Sequence, residues 1–227
     1  MSRSNPEISQ NPCKLWLDWS SNDATITHYD KEQKESVKHT LPFTFLWLDQ
    51  LGKIGGWCDS EESGIYSNEV KNLNDEVLTV RFQKGGTMAQ GKYSEIKDQI
   101  KAKGARYVAS IYLAYKDDKE KLQIGNLSFQ GSALASWMEF SKRAGNDIHT
   151  KAVVVTGFES GKKGSVEYTY PTFKLIDVSE QTNQEAEQLD RELQQFIKGK
   201  PLLIEHPAPS NDKPLEVSDI DDDDLPF

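Results

Sequence analysis

Gly86-Thr87-Met88-Ala89-Gln90-Gly91-Lys92-Tyr93 satisfies the spacing G-x-x-x-x-G-K, the stretch of this chain that comes closest to reaction chemistry. A loop of that kind holds phosphates because its glycines let backbone amides approach them and its lysine reaches the β- and γ-phosphates. The next position should offer a hydroxyl to magnesium. Tyr93 stands there instead, and its ring would fill the metal's space. No apolar strand ending in a suitable aspartate follows. The stretch is therefore read as a glycine-rich hairpin or a loop that touches nucleic acid, with a phosphate-loop nucleotide-binding enzyme kept only as an alternative. His28, His39, His149 and His206 are scattered, and none has Cys or Asp at metal-ligand spacing. No nucleophile elbow is present. The expectation is a protein without catalytic residues, metal or cofactor.

Binding chemistry is spread more widely. Single-stranded nucleic acid is held by aromatic platforms under the bases and cations along the phosphates, each stacked base being worth roughly 1–3 kcal/mol. Trp57 follows a glycine turn, Arg81 faces outward from an alternating strand, and Lys84, Lys92 and Tyr93 flank the glycine stretch. Arg106, Tyr112 and Lys116 share one face of the clearest strand in the chain. Lys162 and Lys163 form a hairpin tip, with Tyr168 and Tyr170 just after it, and Trp16 accompanies Lys14. Core packing explains any one of these aromatics about as well, and ordinary solvation explains any one lysine. The case rests on their interleaving and on charge. The 227 residues carry a net charge of −9, which looks wrong for a phosphate binder. Residues 81–174, however, hold 16 basic and 9 acidic side chains, whereas residues 205–227 hold one and eight. One part attracts phosphate and the other attracts a cationic partner.

The acidic part ends in a distinctive way. Asp221-Asp222-Asp223-Asp224 is followed by Leu225-Pro226-Phe227 at the chain end. Repulsion between aspartates argues against a folded segment, and a solubilising tail has no use for a closing phenylalanine. As a ligand, the ring fills a pocket, a cation captures the carboxylate and the aspartates lie along a basic ridge. This tip resembles that of the bacterial single-stranded-DNA-binding proteins, which ends in aspartates, an aliphatic residue, proline and phenylalanine. Tyr66-Ser67-Asn68-Glu69-Val70, Leu78-Thr79-Val80-Arg81 and Ile124-Gly125-Asn126-Leu127 extend the likeness to phage replication and recombination proteins of the single-stranded-DNA-binding class. The resemblance implies an oligonucleotide-binding (OB) barrel that protects strands in replication and recombination. It also implies that Asp221 to Phe227 recruit a helicase, nuclease or primase. The body is longer than in the bacterial housekeeping proteins and the Gly/Gln-rich spacer is missing, so their homotetramer is not implied. The competing reading is an adaptor of the replication machinery without strong DNA binding.

Those residues need elements to position them. Alternation of apolar and polar side chains predicts strands at residues 13–19, 24–29, 65–70, 77–84, 105–116, 121–129, 151–158 and 165–178. Residues 41–51 are aromatic-rich and of undecided type, and Gly52, Gly55 and Gly56 frame a turn. Helices are predicted at residues 93–103, 132–143 and 179–198. The fold class is mainly β with added helices, an α+β chain built on an OB-like antiparallel barrel. The organisation is a loose leader (1–12), an OB-like DNA-binding domain (13–178), a C-terminal helix (179–199) and a disordered linker with the acidic tip (200–227). Cys13 and Cys58 are isolated, as suits a reducing compartment. No apolar run of about eighteen residues exists and the N-terminus lacks an apolar signal region, so a cytoplasmic location is expected, in a bacterial host if the chain is phage-encoded.

Overall fold

The computed structural model describes residues 11–199. Eleven strands and three helices follow in the order β1 (Leu15–Ser20), β2 (Thr25–Asp30), β3 (Glu35–Lys38), β4 (Phe43–Cys58), β5 (Ser63–Ser67), β6 (Leu78–Phe82), β7 (Thr87–Gly91), α1 (Tyr93–Ala102), β8 (Ala105–Lys116), β9 (Leu122–Phe129), α2 (Gly131–Ala144), a short 3-10 turn (Gly145–His149), β10 (Ala152–Lys163), β11 (Val166–Ile176) and α3 (Glu180–Gly199). The class is mainly β with helices added, as expected.

The centre is β4, whose sixteen residues run through the glycines expected to make a turn. Those glycines serve close packing instead. A Cβ on Gly56 would lie 2.5 Å from the Gly104 carbonyl oxygen, and one on Gly52 would lie 2.8 Å from the Tyr107 ring. Along one edge β4 pairs with β8; along the other, its start pairs with β10 and its end with β5. The main path is β3-β2-β1-β9-β8-β4-β5-β6-β7, with β10 and β11 branching from β4. Every pairing is antiparallel except β1 with β9.

The expected closed barrel is not formed. The path ends at β3 and β7, and β11 pairs only with β10. The N-terminal strand is the reason: β1 takes the free edge of β9, with Asp18 opposite Ser128. Contact between β1 and β11 is made by individual groups rather than a ladder. The Trp19 indole donates to the Thr169 carbonyl (3.1 Å), as does the Ser21 hydroxyl (2.7 Å), and the Thr169 hydroxyl donates to the Ser21 carbonyl (2.8 Å).

The inner face of the sheet carries the main core. Ile54, Ile65, Val80, Tyr107, Ala109, Ile111, Leu113, Leu127 and Phe129 are buried there, and α2 closes it with Trp137, which is fully buried among Phe45, Phe129, Phe140 and Phe173. Only part of the outer face is covered. Ala186, Leu189, Leu193, Phe196 and Ile197 form the apolar stripe of α3. Leu193 and Phe196 press on Leu51, Tyr112 and Ile124, while Ala186 joins Leu46, Ala114 and Leu122. Beside that contact Gln194 donates to Asp49 (2.9 Å), which is also paired with Lys71 (2.8 Å). Among the described residues, α3 does not cover the other end of the outer face, around the half-buried Arg106.

Candidate nucleic-acid interface

The open part of the outer face is built from alternate residues of five strands. On β4 the buried Ile54 and Cys58 point inward, so Lys53, Gly55 and Trp57 face outward. The same alternation turns Arg106 outward between Ala105 and Tyr107, Tyr66 outward beside Ile65, and Arg81 outward beside Val80. Strand register then aligns them. Arg106 is opposite Gly55, Gly55 opposite Tyr66, Tyr66 opposite Arg81, and Arg81 opposite Thr87. Three strand spacings put Arg106 and Arg81 about 15 Å apart at their backbones. Gly55 has no side chain between Arg106 and Tyr66, and the buried Val108 closes in over it, where a Cβ would lie 3.1 Å from the Val108 side chain. Trp57 stands diagonal to Tyr66, opposite Gly64. All four large side chains are half-buried, so each shows a flank to solvent. The Nε of Arg81 is enclosed and has no hydrogen-bond partner among the described residues. Lys53 reaches across β8 to donate to the Ser128 hydroxyl on β9 (3.0 Å).

Of the residues expected to bind nucleic acid, Trp57, Arg81 and Arg106 are thus brought together. Tyr112 is not available. It is fully buried under α3, where its hydroxyl donates to Glu69 (2.7 Å), and burial followed by the Glu69 charge pushes its pKa up. No base can reach that ring. Tyr93 is a second correction, because it packs in the core edge-on to Tyr107 in the first turn of α1. The glycine stretch is a hairpin turn at Gly85 and Gly86 followed by β7, whose backbone is engaged with β6, and Lys92 is the residue that caps α1. It cannot wrap a phosphate as a loop of free amides would. Lys84 lies in the turn, its ammonium 3.3 Å from the Glu61 carbonyl. Lys116 is at the far end of β8 from Arg106, about 33 Å away along the strand, and is paired with Glu120 (2.7 Å).

Lys162, Lys163, Tyr168 and Tyr170 form a separate group at the end of the β10–β11 hairpin. The Tyr168 ring lies over Gly161, where a Cβ would sit 2.5 Å from it, and is 6.3 Å from the Tyr170 ring. Tyr170 donates to Glu159 (3.0 Å), a bond that raises its pKa, and Lys162 pairs with Glu167 (3.3 Å). A shallow cleft between this tip and the β1–β2 turn is lined by Ser21, Asn22, Lys162, Tyr168 and Thr169.

No family model, curated protein or solved structure matches this chain. Among the described residues no three His, Cys, Asp or Glu side chains group closely enough to hold a metal ion, and no helix is long and apolar enough to cross a membrane. Asp221, Asp222, Asp223, Asp224, Leu225, Pro226 and Phe227 lie outside the described residues. The sequence reading missed Lys53 and Tyr66. The signal for Lys53 was its alternation with Ile54 and Cys58 along residues 53–58, hidden once the glycines were read as a turn.

Proposed function

We propose that the protein binds single-stranded nucleic acid across the open outer face and recruits a replication or recombination enzyme through its acidic tip. The observation that carries this reading is the aligned row Arg106–Gly55–Tyr66–Arg81 with Trp57 beside it. It sets two aromatic rings and two guanidiniums on one face, which is what stacked bases and a phosphate backbone require. A duplex, whose bases are already stacked, offers such rings nothing.

The connectivity supports the same reading. The long β4 pairs with β8 and β10, β8 with β9, and β10 with β11, while α2 sits between β9 and β10. That order fits the pairing an OB arrangement would have, with the inserted β1 on the edge where closure would occur, and so supports the OB reading. In such folds oligonucleotides lie on the face of the second and third strands, between the loops joining strands one to two and four to five. Here those positions are the end of the outer face of β8 and β9 that α3 leaves uncovered, near Arg106 and Ser128, the insertion carrying Tyr66 and Arg81, and the hairpin tip with Lys162, Lys163, Tyr168 and Tyr170.

Titration of fluorescent oligo-dT, with duplex DNA and RNA of the same length as controls, tests the reading. Binding should weaken with salt, log K falling against log salt with a slope of about −0.7 for each phosphate neutralised. Arg81→Ala should flatten that slope by roughly one such increment. A preference for duplex, or an affinity indifferent to salt, would overturn the proposal.

A further inference from the structure

Beyond the arginine row, the outer face holds one polar group that sequence-tolerant binding does not need. Asp18 on β1 keeps accessible surface, yet desolvation raises its pKa from 3.8 against the opposing pull of Lys53 and of its bond to Ser128. It stands opposite Ser128 of β9, whose hydroxyl also accepts from the Lys53 ammonium at 3.0 Å. Alternation with the buried Leu17, Leu127 and Ile54 places all three on the outer side. Ser128 and Lys53 are half-buried, and Lys53 is two residues from Gly55 in the row just described. A carboxylate on a phosphate-binding surface is a liability, since it repels the backbone that its neighbours attract. Its position makes sense if it meets a base edge. A carboxylate accepts from base N–H groups and an ammonium donates to base oxygens.

We propose that Lys53, Ser128 and Asp18 form a base-reading position on the strand-binding face, selective for guanine. The Watson–Crick edge of guanine presents an oxygen acceptor (O6) next to two donors (N1–H and the N2 amino group). The protein presents, in the same order, the Lys53 donor, the Ser128 hydroxyl and the Asp18 acceptor. Thymine has a single ring N–H between two carbonyl oxygens, which face Asp18 unfavourably. Adenine offers an amino donor and no oxygen for Lys53. Cytosine presents the reverse order, an amino donor, a ring-nitrogen acceptor and a carbonyl oxygen, so the Ser128 hydroxyl would have to donate to the ring and give up its bond to Asp18, whereas guanine's N1–H leaves that bond in place. Single strands expose these edges, whereas a duplex pairs them. The inference rests on the proposed strand binding and adds a base preference to it.

The test is competition binding with the full-length protein. Three oligonucleotides of equal length are used: all dT, dT with widely spaced dG, and dT with dA at the same spacing. The dG form should bind about fivefold more tightly than all-dT, the low end of discrimination by a paired base contact, and more tightly than the dA form. Asp18→Ala removes a negative charge, so it should raise affinity for oligo-dT while bringing the dG/dT ratio to one. Asp18→Asn, which keeps the side-chain shape, should lower the ratio too. Equal binding of the dG and dA forms would assign any preference to purine stacking and overturn the base-reading position. So would a gain for Asp18→Ala that is the same for every oligonucleotide. If the wild type binds none of them, the strand-binding reading itself fails, a result distinct from binding without preference.

Discussion

Tyr112 and Tyr66 show how differently two tyrosines on outward-facing strand positions behave. Tyr112 is fully enclosed, and its hydroxyl supplies one of the donors that Glu69 accepts from within the sheet. Tyr112→Ala should therefore cost about 3–5 kcal/mol of stability, as for other large buried rings, with a lower urea midpoint. Tyr112→Phe, which loses only the hydroxyl bond to the Glu69 carboxylate, should cost about 1.5–3 kcal/mol. Tyr66 is only half-buried and stands opposite Gly55, which has no side chain to cover it. Tyr66→Ala should leave the urea midpoint close to wild type and weaken oligo-dT binding by roughly 1–3 kcal/mol, one stacked base. If Tyr66→Ala leaves binding unchanged, the aromatic platform is wrongly placed. Tyr112 could not have been assigned from sequence. Its alternation with Arg106 and Lys116 is real, but that side of β8 is split between an open end and an end roofed by α3. A strand pattern reports which residues share a side and is blind to what lies above it.

At the scale of elements, alternation located most of the strands because one side packs against α2 and the other keeps polar residues. It failed at β4, where glycines that permit close approach to Gly104 and Tyr107 look the same in sequence as glycines that turn the chain. It also passed over β7, whose small and polar residues carry little pattern. The β2–β3 hairpin has a titration of its own. His28 Nδ1 and His39 Nε2 are 2.8 Å apart, a spacing that requires a proton on one ring and a lone pair on the other, and Phe43 packs edge-on to His39. Burial first, and the His28 charge second, lower the His39 pKa from 6.5. Below pH 6.5 the unfolded chain takes up a proton that the folded one resists, so unfolding binds protons and stability falls as pH drops. Urea midpoints should decline from pH 7 toward pH 5, and His39→Gln should flatten that decline. Asp23 and Asp117, whose pKa values are lowered from 3.8 by hydrogen bonds, lose their contribution only in stronger acid, which separates the two effects. An unchanged slope in His39→Gln would mean that the pair does not govern the hairpin.

The whole molecule divides its charge between a basic middle and an acidic end, and this division was legible in the sequence even though the row it serves was not. Deleting residues 218–227 moves the net charge from −9 to −4. The shortened protein should bind oligo-dT more tightly, with a gain that shrinks as salt rises. Phe227→Ala keeps every aspartate, so it should leave DNA affinity near wild type and abolish capture of the partner enzyme. Retained capture would reduce the tip to a solubilising tail. The parallel pairing of β1 with β9 has a consequence for how the chain is made. Asp18 must meet Ser128, yet at 5–20 residues per second a ribosome delivers the second roughly 5–20 s after the first. Throughout that interval the edge of residues 15–18 has no neighbour, and a messenger carrying several ribosomes holds several such edges side by side. Until Ser128 arrives, β1 is an edge open to pairing with a copy of itself, and unlike the edges of β3 and β7 it is one that the finished fold covers.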